Sequence, residues 1–411
     1  MQLPARARLA RSVSRGVAAL SRATGRGDGS VIGGRIGMVI DPDLLAHLAA
    51  RRQIALISGT NGKTTTTRLT AVAVGVLGPV ASNSLGANLP TGHASALAKA
   101  GATAHAILEV DEHYLPHVLA ATQPRVVALL NLTRDQLDRA KEVAMLARLW
   151  RDTLRGQPIH VVANADDPMV VWAASSTERV SWVAAGQRWF DDSWVCPECG
   201  GSIRRERRNG SVDWCCTTCA LRRPTPHWTL HGNAVVDPRG MCHDVKLSLP
   251  GEINVANAAM ALAVAAEFGV RPEDAVPRIA EITSVAGRYT IVERAGRAIR
   301  LFLAKNPAGW LEAFDMVDPA PILLVINARQ PDGFDTSWLF DVDFAPLRGR
   351  PVLITGERAY DLGVRLKVNG VAFTHVPSFA EAVMATPPGR LEVIANYSAF
   401  QKIRVELDRA E

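Results

Sequence analysis

The stretch from Ile57 to Thr70, "ISGTNGKTTTTRLT", has residue types and spacing suited to binding a phosphate. A short apolar run leads through a turn with two glycines into a threonine-rich helix start. Glycines let several backbone N–H groups point at one anion, and the helix adds the positive end of its dipole. Lys63 can reach the β- and γ-phosphates of a nucleotide, and the Thr64 hydroxyl can bind Mg²⁺. The predicted phosphate-binding residues are Gly59, Thr60, Asn61, Gly62, Lys63, Thr64 and Thr65.

Polar residues follow several other apolar runs and predict the rest of this site. Glu109 ends the run "HAILEVDE", where open α/β sheets place their ligands, and its carboxylate suits Mg²⁺. "SNSLGANLPTG" supplies Ser84 and a second glycine-bearing loop. Two further segments supply Asp135, Asp138, Asp166 and Asp167. The last two precede a proline, so they are equally well explained as helix N-caps.

Four cysteines in the pattern C-x2-C-x16-C-x2-C predict a tetrahedral Zn²⁺ site. They are Cys196, Cys199, Cys216 and Cys219. A site closed by four thiolates leaves no position for substrate, so we expect a structural role; a redox CxxC pair is the alternative. Four nearby arginines (204, 205, 207 and 208) are better explained as a solvated charge run than as a nucleic-acid surface, and no nucleic-acid partner is expected.

Two cysteines lie outside that pattern. Cys242 is followed directly by His243 in "GMCHD", which raises the possibility of a glutaminase nucleophile. Adjacency in sequence does not orient a base, and Asp244 occupies the place of the second glycine of a nucleophile elbow. We therefore do not expect this chain to release ammonia from glutamine by itself.

The predicted elements that position these residues form an α/β fold with two alternating regions. Strands are predicted at 54–57, 106–110, 126–130, 159–162, 180–183, 299–303, 322–326, 352–354 and 392–394. The first alternation is interrupted at 190–228, where the zinc ribbon is predicted as an insertion, and 283–294 is predicted as a linker. The expected layout is an Arg-rich arm at 1–40, an ATP-binding domain at 41–286 and a Rossmann-like α/β domain at 287–411.

The composition is that of a globular protein: 48% of the 411 residues are hydrophobic, 21% are charged, and the net charge is +6. No transmembrane helix and no secretory signal is predicted, so we expect a cytoplasmic location. The first 25 residues are amphipathic if helical, with Leu9, Val13, Val17 and Leu20 on one face and arginines largely on the other. This helix either rests on anionic lipid at the inner face of the plasma membrane or packs on its own domain.

Several motifs, taken in their order, resemble those of the Mur ligase family, the ATP-dependent amide ligases of cell-wall synthesis that are related to folylpolyglutamate synthase. They are "GTNGKT" (59–64), Glu109, "NLTRDQLD" (131–138), "NADD" (164–167), "GEINVANAAMALA" (251–263) and "GRYTIVE" (287–293). Gln136 and Ile253 stand where family members typically carry histidine. The chain is similar to the MurT branch of this family in these departures, in a phosphate loop that begins near residue 59 and in the cysteine insertion. In that branch a ligase subunit works with the glutaminase GatD.

The resemblance implies roles for particular residues. Lys63 and Thr64 would hold the phosphates of ATP and Mg²⁺, with Ser84 and Glu109 completing the metal site. Asn254 and Asn257 would approach the adenine. The remaining implied positions are Arg288 at the domain hinge, Lys305 and Asn306 toward the cleft, and one of Asp335, Asp341 and Asp343, with Asp335 preferred, assisting the glutaminase.

The resemblance also implies an activity: ATP-dependent amidation of the α-carboxylate of D-Glu in lipid II, with ammonia from a GatD-like glutaminase partner. Two alternatives remain open on the sequence. One is a stand-alone ligase of the Mur or folylpolyglutamate type that adds an amino acid. The other is a regulatory NTPase whose zinc ribbon binds nucleic acid.

Overall fold

The computed structural model describes residues 3–24, 29–83, 87–135, 143–208, 211–285 and 289–408. The chain forms two compact units. The first comprises Met1–Leu132 and Glu142–Thr283, and the second comprises Thr133–Lys141 and Ser284–Glu411. Within the described ranges, no helix combines the length and the apolar composition needed to cross a membrane.

The first unit is built on a parallel sheet of six strands in the order β2-β3-β1-β4-β5-β6. These strands are β1 (Gln53–Ser58), β2 (Val80–Ser82), β3 (His105–Glu109), β4 (Val126–Leu129), β5 (His160–Asn164) and β6 (Val180–Val183). The inner strands are buried on both faces, which explains why they appear in the sequence as continuous apolar runs. The sequence prediction missed β2, a three-residue strand at the sheet edge.

Ten α-helices are described in this unit. They are α1 (Ala5–Ala23), α2 (Ile32–Ile40), α3 (Leu44–Ala49), α4 (Lys63–Val74), α5 (Pro90–Lys99), α6 (Leu115–Thr122), α7 (Val143–Leu154), α8 (Pro168–Ala174), α9 (Glu252–Glu267) and α10 (Pro272–Ala280). Helix α9 is buried from Asn254 to Ala265, which matches its nearly uninterrupted apolar sequence.

Helix α1 packs on its own unit, which is one of the two predicted alternatives, and does so through a face other than its most apolar stripe. Its buried residues are the small ones, Ala7, Ala10, Ser14 and Ala18. They approach the backbone of α2 so closely that a Cβ at Gly33 would lie 2.6 Å from the Ser14 carbonyl oxygen. Of the apolar stripe identified in the sequence, Leu9 and Leu20 are 59% and 65% exposed, and Val13 and Val17 are half-buried.

The inserted segment at 190–228 contains an antiparallel hairpin, formed by β7 (Ile203–Arg208) and β8 (Ser211–Cys216). Trp214 and Ile203 of this hairpin are buried with Val171 of α8. A second small antiparallel sheet follows in the order β11-β10-β9. Its strands, which the sequence did not predict, are β9 (Thr229–His231), β10 (Ala234–Val236) and β11 (Cys242–Asp244).

The second unit contains a six-stranded sheet in the order β12-β13-β17-β14-β15-β16, parallel except for β12. Its elements are β12 (Tyr289–Arg294), β13 (Arg297–Leu303), α11 (Pro307–Met316), β14 (Ile322–Val325), β15 (Val352–Thr355), α12 (Ala359–Val368), β16 (Thr374–His375), α13 (Phe379–Ala385), β17 (Gly389–Ala395) and α14 (Tyr397–Asp408). The linker prediction for 283–294 is wrong over 289–294, because β12 pairs along its whole length with β13.

Candidate active site

The phosphate loop, residues 59–62, connects β1 to α4 and requires both of its glycines. Gly59 and Gly62 have φ angles of +149° and +82°, which side chains rarely adopt. A Cβ at Gly59 would lie 2.8 Å from the Leu130 Cβ, and one at Gly62 would lie 2.7 Å from the Asn257 Oδ1. The loop is therefore held tightly against its neighbours and opens toward the N-terminus of α4.

Asn131, just after β4, fixes the shape of this loop. Its side chain accepts a hydrogen bond from the Asn61 N–H at 2.8 Å and donates one to the Asn61 carbonyl at 3.1 Å. Its own carbonyl accepts from the Thr60 N–H at 3.0 Å. The sequence placed Asn131 in a motif but gave it no role, because its partners lie far away in the chain.

The Lys63 ammonium lies at the centre of the loop and pairs with Glu112. Its Nζ is 2.9 Å from the Glu112 Oε1 and 2.5 Å from the Gly59 carbonyl oxygen. Both residues are buried, at 6% and 7% exposure. Burial raises the pKa of Glu112, and the charge of Lys63 opposes that rise. Glu112 was missed by the sequence analysis.

Thr64 and Glu109 lie together, as expected for a metal site. The Thr64 hydroxyl donates to the Glu109 Oε2 at 2.9 Å. The backbone of Glu109 is fixed by Asn83, which contacts its N–H and its carbonyl, each at 2.8 Å. A hydroxyl and a carboxylate side by side are oxygen donors of the kind that Mg²⁺ prefers. Ser84, the other predicted ligand, lies outside the described residues.

His93 of α5 completes the support of Glu109. Its Nε2 is 2.7 Å from the Glu109 carbonyl oxygen. Burial lowers the pKa of His93 to about 4, so the ring is neutral near pH 7 and Nε2 carries the proton that it donates. The sequence gave no signal for this role.

The two asparagines predicted near the adenine line the same end of α4. Asn257 accepts a hydrogen bond from the Thr66 hydroxyl at 3.2 Å, and its amide lies 3.4 Å from the Asn254 Oδ1. Asn254 also donates to the Pro250 carbonyl at 2.6 Å. Thr65 is buried in the first turn of α4. Arg288 lies outside the described residues.

Asp166 and Asp167 make structural contacts within the first unit. Asp167 caps α8 by accepting from the Met169 and Val170 N–H groups, and it also accepts from the Leu132 N–H at 2.8 Å. Burial raises the pKa of Asp167 to about 6. Asp166 binds the Arg223 guanidinium at 2.6 Å and so fastens the inserted segment to β5. Asp135 is half-buried, and Asp138 lies outside the described residues.

The four predicted cysteines form one cluster. All four sulfurs lie within 4.8 Å of one another, with Cys196 and Cys219 3.7 Å apart and Cys199 and Cys216 3.5 Å apart. A tetrahedral Zn²⁺ site with Zn–S bonds of about 2.3 Å requires sulfurs about 3.8 Å apart. Backbone N–H groups of Thr218 and Cys219 point at the Cys216 sulfur and favour its thiolate, lowering its pKa to about 6. The donor set thus fits Zn²⁺.

The surroundings of Cys242 and of Arg205 argue against a glutaminase nucleophile and against a continuous basic surface for nucleic acid. Cys242 is exposed, whereas His243 is buried on the opposite face of β11 with its Nε2 3.1 Å from the Asp237 Oδ2. The two cannot form a nucleophile–base pair in this arrangement. Arg205 donates to Ser193 and stacks on Phe190 at 4.7 Å, so one of the four clustered arginines is an internal contact.

The three candidate aspartates of the second unit differ in their surroundings. Asp335 is exposed and accepts from the Ser337 N–H at 2.8 Å, which lowers its pKa. Asp341 pairs with Arg134 at 3.4 Å, and Asp343 accepts from the Ala345 N–H.

Lys305 and Asn306, which were predicted to face the cleft, make contacts within the second unit. The Lys305 Nζ lies 5.6 Å from the centre of the Tyr397 ring, and the Asn306 side chain caps α11 by accepting from the Gly309 N–H.

Comparisons with known proteins agree with this architecture. The profile of the Mur ligase middle domain matches residues 57–265, and that of the MurT ligase C-terminal domain matches 303–400. The chain is 28% identical, over 95% of each chain, to the subunit MurT of the lipid II isoglutaminyl synthase (glutamine-hydrolyzing) of Staphylococcus aureus strain COL. It is 28% identical to the Streptococcus pneumoniae R6 subunit of the same description, over 92% of each chain.

A solved structure shares the fold. The pseudomurein peptide ligase type C from Methanothermus fervidus superposes with a TM-score of 0.69 at 16% identity, covering 90% of this chain and 81% of that one. The middle-domain profile spans half of the present sequence and begins at the phosphate loop. The chain therefore belongs to the Mur ligase family, and its C-terminal unit matches the MurT branch of that family.

Proposed function

We propose that the chain is the ATP-dependent ligase subunit of a lipid II isoglutaminyl synthase. It would activate the α-carboxylate of D-Glu in the lipid II stem peptide and amidate it with ammonia. The observation that carries this proposal is the phosphate loop with Lys63, Thr64 and Glu109 at its mouth. The similarity to MurT subunits over nearly the whole chain supports the choice of substrate.

The chemistry requires an activated carboxylate, because a carboxylate would otherwise have to expel oxide. Transfer of the γ-phosphoryl group forms a bond from phosphorus to a carboxylate oxygen and breaks the bond to ADP. Ammonia then attacks the carbonyl carbon, a C–N bond replaces the C–O bond, and phosphate leaves with the former carboxylate oxygen. Solvent takes the proton that the attacking nitrogen loses.

Each residue of the loop has a role in the first step. Lys63 would exchange Glu112 for the β- and γ-phosphates and stabilise charge on the transferring group. Thr64 and Glu109 would hold Mg²⁺, which neutralises phosphate charge when it is bound. Asn131 and the two glycines keep the backbone N–H groups in place, so little reorganisation is needed.

A partner is proposed because the one adjacent cysteine–histidine pair of the sequence does not form a nucleophile and base in the structure. Cys242 and His243 face apart, and the other cysteines except Cys215 lie in the cluster. We propose a GatD-like glutaminase as the source of ammonia. The names of the relatives, which describe glutamine-hydrolyzing enzymes with this kind of subunit, support that choice.

An exposed aromatic surface of the second unit suits such a partner. Phe334, Phe340 and Tyr360 are 63%, 72% and 79% exposed. Val364 and Val368 continue the surface along α12 with helical spacing, and both are exposed. Large exposed apolar areas on soluble domains commonly mark protein interfaces. Asp335 follows Phe334 directly, so it is our choice for the carboxylate that orients the histidine of the glutaminase.

The cysteine cluster would stabilise the inserted hairpin, and helix α1 would bring the enzyme to the membrane surface. Zn²⁺ in the cysteine cluster would close the inserted hairpin and take no part in the reaction. Helix α1 exposes Leu9 and Leu20 on one face and several arginines on another, and it would contact the anionic inner face of the membrane transiently. A lipid-linked substrate makes such a contact useful for a cytoplasmic enzyme.

The proposal is tested by incubating the chain with Mg-ATP and lipid II and supplying ammonium, glutamine or an amino acid. Mass spectrometry of the stem peptide identifies the product. We expect amidation with ammonium alone, and amidation with glutamine only after a GatD-like glutaminase is added. Addition of an amino acid instead would favour a stand-alone Mur or folylpolyglutamate-type ligase. ATP hydrolysis without either product would contradict the proposal.

A further inference from the structure

The first unit contains a cavity of about 770 Å³ that the reaction described above does not use. It lies between α1, α5 and the carboxyl end of β2. We infer that this cavity binds a diphosphate ester, namely the diphosphate that joins the sugar and the lipid of the substrate. The identity of this ligand as part of the substrate rests on the proposed function.

The charge of the cavity favours a polyanion. Arg15, Arg22 and Lys99 line it, and none of the described residues that line it is acidic. Arg15 and Arg22 are seven residues apart and therefore lie on one side of α1. Lys99 ends α5 on the facing wall. Three cations that converge from two helices match the charge of a diphosphate and can supply charge-assisted hydrogen bonds.

The walls of the cavity leave room for such a group. Between the cations they are made mainly of glycine, alanine and serine, including Gly92, Ser82 and Ser95. Serine hydroxyls add donors that suit phosphate oxygens. A site for a fatty acyl chain would instead be lined by large apolar side chains.

The position of the cavity connects it to the phosphate loop. Ser82 ends β2, which pairs in parallel with β3, the strand that ends in Glu109. Asn83 lines the cavity and donates to the Glu109 carbonyl oxygen at 2.8 Å. The cavity and the proposed metal site thus share one edge of the sheet, so a substrate anchored by its diphosphate could extend its peptide toward Glu109.

The outer face of α1 agrees with a lipid-linked ligand. Leu9 and Leu20 are exposed on a side of the helix away from Arg15 and Arg22. A single helix therefore presents cations to the cavity and apolar side chains to the outside. A ligand with a diphosphate next to a lipid chain requires this combination.

The test measures binding by the full chain to floated vesicles, with saturating Mg²⁺ and a non-hydrolysable ATP analogue present so that the phosphate loop is filled. The vesicles are phosphatidylcholine alone, phosphatidylcholine with lipid II, and phosphatidylcholine with phosphatidylglycerol at matched charge. The double variant Arg15→Gln/Lys99→Gln is compared with Arg8→Gln, which removes an exposed charge of α1 outside the cavity. Both substituted cavity side chains are exposed, so the variant should fold.

We expect the chain to prefer lipid II vesicles and the double variant to bind them at least about tenfold more weakly, as loss of charge-assisted hydrogen bonds predicts. Arg8→Gln should bind like the wild type. Inorganic diphosphate should compete for the same site. Equal binding to both anionic vesicles, an unaffected double variant, or no competition by inorganic diphosphate would each overturn the inference.

A second readout separates this inference from the proposed function. In the amidation assay, the double variant should raise KM for lipid II and leave KM for ATP unchanged. Amidation with an unchanged KM for lipid II would reject the cavity while retaining the ligase activity. Selective binding to lipid II that depends on the cavity, without any amidation, would reject the ligase activity while retaining the cavity.

Discussion

At the scale of single residues, the ion pair between Lys63 and Glu112 decides how the phosphate loop is kept ready. A buried ammonium without a partner would be costly, and Glu112 supplies the negative charge that a phosphate would later replace. The loop can therefore hold its lysine in place before a nucleotide arrives. Glu112 acts as a positioning residue in this account.

Substituting Lys63 with alanine should lower ATP-dependent amidation at least about a hundredfold, because a preorganised charge on the transferring phosphoryl group is lost. The metal content of the cysteine cluster should not change. Lys367→Ala, at an exposed position in the last turn of α12, is the matched control. Normal turnover by the Lys63 variant would remove the basis for placing the phosphates at this loop.

His93 gives the stability of the first unit a predictable dependence on pH. Burial lowers its pKa from 6.5 to about 4, so below pH 6.5 the unfolded chain binds a proton that the folded chain does not. The neutral ring therefore stabilises the fold fully above pH 6.5, and this contribution is lost as the pH falls toward 4. The loss should reach about 3 kcal/mol near pH 4.

Denaturant unfolding at several pH values, for the wild type and His93→Gln, measures this contribution. Glutamine can still donate to the Glu109 carbonyl but does not titrate, and the other groups titrate in both proteins. The free energy of unfolding should fall more steeply in the wild type between pH 6.5 and 4. Parallel curves would show that His93 is not buried as a neutral ring.

The sequence predicted the parts of this site that are contiguous in the chain. Gly59 to Thr64 could be identified because a phosphate loop is a local pattern of strand, turn and helix. Glu112 and Asn131 could not, since they meet Lys63 and Asn61 across 49 and 70 residues. Only the strand order, which brings β3 and β4 to either side of β1, places them there.

At the scale of elements, the inserted hairpin depends on its cysteines, because its own core is small. Cys216→Ser should reduce bound zinc from one ion per chain to nearly none and lower the midpoint of thermal unfolding. Cys215→Ser is the control, since Cys215 is half-buried outside the cluster. Equal zinc content in the two variants would rule out a four-thiolate site.

Helix α2 packs by close backbone approach to α1, through Gly33, and to α5, through Gly34, rather than through large apolar side chains. A Cβ at Gly34 would lie 1.7 Å from the Thr91 carbonyl oxygen, so Gly34→Ala should destabilise the unit by about 1–3 kcal/mol. A Cβ at Gly16 would meet nothing within 4 Å, and Gly16→Ala should stabilise α1 by about 0.5–1 kcal/mol. Denaturant unfolding measures both, and shifts of equal sign would contradict this packing.

The same helices explain why α1 packs through a face other than its most apolar stripe. Leu9, Val13, Val17 and Leu20 form the most apolar stripe, and periodicity alone assigns such a stripe to the core. Because α2 offers glycines, the small face of α1 fits more closely. Complementary shape between two elements cannot be inferred from the periodicity of one.

At the scale of the whole molecule, the proposed glutamine-dependent reaction requires two proteins. Asp335→Asn should abolish amidation supported by glutamine in the assembly with the glutaminase and leave amidation supported by ammonium unchanged. Asp343→Asn, at another exposed position of the same segment, is the control. Intact glutamine-dependent activity in the Asp335 variant would mean that another group orients the glutaminase histidine.

The proposed reaction depends on activation of a carboxylate by phosphorylation, and the transfer of an isotope from that carboxylate to phosphate measures this step. Lipid II labelled with ¹⁸O in the α-carboxylate of D-Glu is amidated with ammonium and Mg-ATP, and the inorganic phosphate is analysed by mass spectrometry. One ¹⁸O atom should appear in the phosphate for each amide formed. Phosphate without ¹⁸O, released while the amide forms, would contradict this activation step.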